Sequence, residues 1–105
     1  MKNYELVCNG ESGNQTLEEE VAKQFVEAFE LWKVKQHSYG SSNISAFMEM
    51  GVLVRVSDKV ARLRNMIVNN KEERLADESI MDTWIDIVNY GVIARLCRIG
   101  VWPKS

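Results

Sequence analysis

Along this chain the hydrophobic positions recur at spacings of three and four, and no segment shows the alternation of a strand. Leu17, Val21, Phe25, Phe29 and Trp32 mark a first amphipathic helix of about 20 residues. Thr16-Leu-Glu-Glu19 reads as its capping box, with Thr16 as N-cap and Glu19 three residues on. The turn-rich Asn9–Gln15 ahead of it closes a mobile leader, residues 1–15. Glycine and small polar residues at Ser38–Asn43 predict a loop. Leu53, Val56, Val60, Leu63 and Ile67 then form the stripe of a second helix, from Ser45 to Asn69, in which Gly51 marks a bend or a close contact. Polar Asn69–Arg74 reads as a connection. The third helix opens near Asp77–Ser79 and closes at Gly100, a natural C′ residue, with Arg95 and Arg98 complementing the helix dipole.

That third helix is apolar on nearly every side: Ile80, Met81, Trp84, Ile85, Ile87, Val88, Val92, Ile93 and Leu96 leave little solvated face, so burial is expected. Yet it carries Asp82, Asp86 and Asn89, stacked on one face by spacings of four and three. Buried carboxylates are costly unless paired, hydrogen-bonded or metal-bound. Two partners suggest themselves: an arginine of the second helix, Arg55 or Arg62, or a metal ion.

The pattern predicts an all-α protein, an antiparallel bundle of three to four main helices forming one domain over residues 1–105, with 16–100 as the helical core. Three helices in so short a chain bury only part of their apolar area. A homo-oligomer, with the third helix packed across another subunit, is therefore expected.

Composition narrows the function. At 105 residues with 46% hydrophobic and 27% charged residues, the chain matches a soluble globular domain. Its net charge of −2 excludes a general electrostatic partnership with nucleic acid or membrane. Without helix-turn-helix spacing, direct binding of double-stranded DNA is not expected. No apolar run approaches the roughly 18 residues that span a bilayer. Met1–Cys8 has no signal-peptide core, which predicts a cytoplasmic protein. Cys8 and Cys97 lack metal-type spacing and read as free thiols, and one histidine, His37, gives a His-based metal site or catalytic triad little to draw on.

Three constellations carry chemistry. Glu78, Asp82, Asp86 and Asn89 follow a 4-4-3 spacing; Asp86 with Asp82 or Glu78 is a candidate oxygen-ligand set for Mg²⁺, a cation that prefers carboxylates, waters and phosphates. Arg55, Lys59 and Arg62 form a basic stripe with Asp58 beside it. It reads either as a solvated face crossed by an Asp58–Arg62 pair or as a phosphate cradle, with Asp58 joining the metal ligands. Lys35-Gln-His-Ser-Tyr-Gly40 reads either as a helix end with a packing tyrosine or as a place where Tyr39 stacks on a base.

Taken in order, Lys35…Tyr39-Gly40, then Gly51–Asn65, then Glu78–Tyr90, these segments resemble the nucleotide-modification-associated domain common in bacteriophage genomes. That domain is itself similar to the MazG-like, all-α nucleoside triphosphate pyrophosphohydrolases. The resemblance implies a helical bundle, a dimer or tetramer, that binds a (deoxy)nucleoside triphosphate with Mg²⁺. By that likeness Asp58, Asp82 and Asp86 hold Mg²⁺, and Asp58 and Asp86 are the catalytic acids. Arg55, Lys59 and Arg62 meet substrate phosphates, Lys35 belongs to the substrate-binding set, Tyr39 contacts the base, and Asn89 orients Asp86 or a water. The chain departs from the pyrophosphohydrolase pattern where Thr83 stands in place of a glutamate and Lys59 in place of an acid beside Asp58. Two functions follow: Mg²⁺-dependent nucleotide binding or pyrophosphohydrolysis, and a non-catalytic module in a phage DNA-modification or host-takeover complex.

Overall fold

The structure, a computed structural model, describes residues 4–69 and 76–104. Four helices follow in order: α1 (Gln15–Tyr39), the short α2 (Ser42–Ser45), α3 (Met48–Ile67) and α4 (Ala76–Arg98), with no strand among the described residues. Of the expected connection Asn69–Arg74 between the second and third helices, residues 70–74 lie outside the described residues.

α1 begins one residue before the expected capping box. Asn14 is the N-cap, its Oδ1 accepting from the Leu17 backbone N–H at 3.0 Å. Asparagine caps somewhat better than threonine, and Thr16 falls within the first turn. Glu18 reaches back instead, accepting from the Gly10 and Ser12 backbone N–H groups at 2.9 and 3.0 Å and from the Ser12 hydroxyl at 2.6 Å. These bonds tie the preceding turn to the helix.

α3 and α4 are antiparallel, because Glu49 at the start of α3 pairs with Arg98 at the end of α4 while Lys59 pairs with Asp86 midway. Between α2 and α3 the chain turns sharply through Met48, which holds a positive φ of 52°. Gly51 sits one turn on, where a Cβ would lie 2.9 Å from the Phe47 Cβ. It therefore marks a close contact.

The inward face of α3 is Val52, Val56, Lys59, Leu63 and Met66, with Val52 buried to 1% exposure. The expected stripe is offset from it: Leu53, Val60 and Ile67 are exposed. The reason is Lys59. A lysine on the inward face breaks the apolar period there, so the neighbouring stripe looks more regular.

α4 ends in a Schellman motif, with Val101 N–H bonded to Leu96 O at 3.0 Å and Gly100 N–H to Cys97 O at 3.1 Å. Gly100 adopts the required φ of +81°. That reversal lays Trp102 over the core with Ile44, Val52, Ile93 and Cys97, its indole N–H donating to Ser41 O at 3.4 Å.

α1 packs on α4 through its C-terminal half. Ala28 is its one buried residue among those described, while Leu17, Val21, Phe25 and Phe29 face outward. On α4, Met81, Trp84, Val88 and Val92 form a second exposed apolar stripe, so part of this helix is not buried within one chain. The radius of gyration is 16.0 Å. A compact chain of this length would have about 13 Å.

Candidate functional site

Three helix faces converge on one region. On α1, Ala28, Trp32, Lys35 and Tyr39 share a face through spacings of four, three and four. On α4, Asp86, Asn89, Tyr90 and Ile93 face them, and α3 supplies Arg55, Lys59 and Arg62. Ala28 allows a close approach of α1 to α4, and its carbonyl accepts from Asn89 Nδ2 at 3.0 Å. Asn89 thus orients α1, with one of its two amide N–H donors used on that bond.

Asp86 is the electrostatic centre. Its Oδ1 lies 2.6 Å from Lys35 Nζ and its Oδ2 3.0 Å from Lys59 Nζ, so one carboxylate of α4 joins α1 and α3. The Asp86 side chain is 15% exposed, Lys59 28% and Lys35 45%. Partial burial pushes the Asp86 carboxyl upward, but the hydrogen bonds and charges of Lys35 and Lys59 outweigh it and hold the group below the usual carboxylate range. The partners expected from sequence were Arg55 or Arg62, with a metal ion as the alternative. Arg55 instead donates to Asn43 O at 3.3 Å, and the nearer lysine amines take both carboxylate oxygens.

Beside this triad opens a cavity of about 330 Å³. Its walls include the aromatic rings of Trp32, Tyr39, Tyr90 and Trp102, and its polar groups include Gln36, Asn43 and Asn89. Lys35, Arg55, Lys59 and Asp86 line it too. A wider trough of about 720 Å³ adjoins it, lined by Arg55, Asp58, Lys59, Arg62, Asn65, Met66 and Tyr90. Arg55, Lys59 and Tyr90 border both.

Sequence-derived candidates therefore assemble unevenly. Lys35, Tyr39, Arg55, Lys59, Asp86 and Asn89 line the cavity, and Asp58 and Arg62 line the trough. Asp82 and Glu78 are exposed and line neither; they lie one and two turns toward the start of α4 from Asp86. Sequence reasoning missed Trp32, Gln36, Tyr90 and Trp102 as walls. For Trp102 a signal existed: a large aromatic placed just after a C′ glycine, where a Schellman reversal returns the chain to the core.

The donor set fits Mg²⁺ poorly. Both oxygens of Asp86 are taken by ammonium groups, and no three His, Cys, Asp or Glu side chains among the described residues are grouped to hold a metal ion. Asp86 lines the cavity and Asp58 the adjoining trough, while Asp82 lines neither.

Compared with known proteins, no curated protein and no solved structure matches the chain. Among protein families, residues 35–97 match the nucleotide modification associated domain 1. That span covers more than half of the 105 residues and contains every charged residue of the cavity and trough. The chain therefore belongs to the nucleotide modification associated domain 1 family.

Proposed function

We propose that the cavity and trough together bind a (deoxy)nucleotide, with the base against the aromatic walls and the phosphates along the α3 cations. The observation that carries this reading is their continuity: Arg55, Lys59 and Tyr90 border both compartments, so an aromatic slot opens directly onto a cationic one. Base stacking on tyrosine or tryptophan and charge-assisted bonds to phosphate are the two halves of nucleotide recognition. The role in nucleotide modification suggested by the family's name agrees with it. Calorimetry with the deoxynucleotides and their parent nucleosides tests the reading. Nucleotides binding well above nucleosides support it; no heat from any of them contradicts it.

Pyrophosphohydrolysis, implied by the likeness to MazG-like enzymes, would draw on Asp58 and Asp86, the two acids of the groove. The poor fit to Mg²⁺ favours the binding module over the enzyme. Pyrophosphate release from a nucleoside triphosphate above an Asp86→Asn control would reverse that preference.

The same reading includes a second copy of the chain. α1 and α4 each expose an apolar stripe, and the radius of gyration exceeds that of a compact chain of this length. Burying those stripes against a second copy would supply the core that one chain lacks. No helix of the described residues is long and apolar enough to cross a membrane.

A further inference from the structure

We infer that this groove grips its phosphate directly, through Lys35 and Lys59 held in place by Asp86, with no divalent metal ion between protein and ligand. The inference rests on the nucleotide reading above and says how that site recognises its anion.

The cavity and trough are lined by four cations, Lys35, Arg55, Lys59 and Arg62, and two acids, Asp58 and Asp86. The lining is thus net positive in a chain whose net charge is −2. A metal ion arriving there meets ammonium groups where its carboxylate ligands should be free, whereas an anion meets an attractive field.

Geometry gives the same answer. An ammonium group has three N–H donors. Lys35 spends one on Asp86 Oδ1 and Lys59 one on Asp86 Oδ2, which leaves both amines with donors for a ligand. Because both grip one carboxylate, they lie close enough together to share one phosphate group, whose oxygens are spaced much like a carboxylate's. Asp86 is then a positioning residue: it holds two flexible side chains from different helices and lowers the ordering cost of binding. Lys59, which borders both the cavity and the trough, is then a phosphate ligand.

The test is a titration of the full chain with deoxynucleoside mono- and triphosphates, once in chelator and once in excess Mg²⁺. The expected result is equal or tighter binding in chelator, with Lys59→Met weakening both by about tenfold. Loss of binding in chelator, restored by Mg²⁺ or Mn²⁺, overturns the inference and leaves the nucleotide reading standing. No binding in either buffer overturns both. A Mn²⁺ titration of the ligand-free protein, read by electron paramagnetic resonance, supplies a second measure. Free Mn²⁺ throughout supports the inference, whereas uptake that Asp86→Asn abolishes overturns it even if that variant is less stable.

Discussion

Lys59 of α3 and Asp86 of α4 meet at 3.0 Å on the inward faces of the two helices, where the apolar period of each is broken. Each breach answers the other. Lys35, reaching in from α1, completes the neutralisation of a carboxylate that neither helix alone could keep in a partly buried place.

Asp86 should make stability depend on pH in a defined direction. Its folded pKa is depressed, so the stabilisation is fully present above the unfolded carboxylate value of about 4 and is lost as pH falls through the lower folded value. Asp86→Asn should cost about 1–2 kcal/mol at pH 7, a modest figure because both lysines are partly solvated. Urea unfolding of both proteins from pH 7 to 3 checks this. The gap between them should narrow in the acid range.

Gly51→Ala sets two effects against each other. Alanine gains up to about 1 kcal/mol of helix propensity. The added Cβ would stand 2.9 Å from the Phe47 Cβ, and overpacking of that kind costs about 1–3 kcal/mol. Phe47 Cβ is anchored to the backbone and cannot swing away, so the clash wins. A net loss of about 1 kcal/mol is expected in thermal unfolding.

The C-terminal reversal should be fragile at two points. Gly100→Ala forces a side chain into positive φ and should cost about 1 kcal/mol. Trp102→Ala removes a residue that is 4% exposed and should cost about 3 kcal/mol. Trp102→Ala also removes a cavity wall, so its effect on ligand affinity should exceed that of Gly100→Ala.

Trp84 separates the isolated chain from an assembly. It is 50% exposed, so Trp84→Glu in a monomer should change stability by less than about 0.5 kcal/mol. In the proposed oligomer the same substitution buries a charge and should shift the sedimenting species toward the monomer.

Much of this was legible in the chain. The three long helices follow from the periodicity, and Gly100 announced the end of α4 with its C′ chemistry. Their boundaries differ, however: α1 runs on to Tyr39, the short α2 overlaps the expected Ser38–Asn43 loop, and α3 starts at Met48, later than the expected Ser45. Asp86 stood out because an acid in an apolar helix must find a partner. What stayed hidden was which partner. Lys35 lies 51 residues from Asp86, and no local pattern records that contact. The inward register of α3 was masked because Lys59, one of its inward positions, is polar. Asp82 shares the helical stripe with Asp86 yet is exposed, since spacing fixes a face and only tertiary packing decides how far along that face the cover extends.

The most direct measurement of the central claim is tryptophan fluorescence during titration with a deoxynucleoside triphosphate, because Trp32 and Trp102 both line the cavity. The account predicts a saturable change in the wild-type chain, weakened about tenfold in Lys59→Met. A folded wild-type protein that gives no change and no heat with any nucleotide, or a Lys59→Met variant that binds as tightly as wild type, would contradict it.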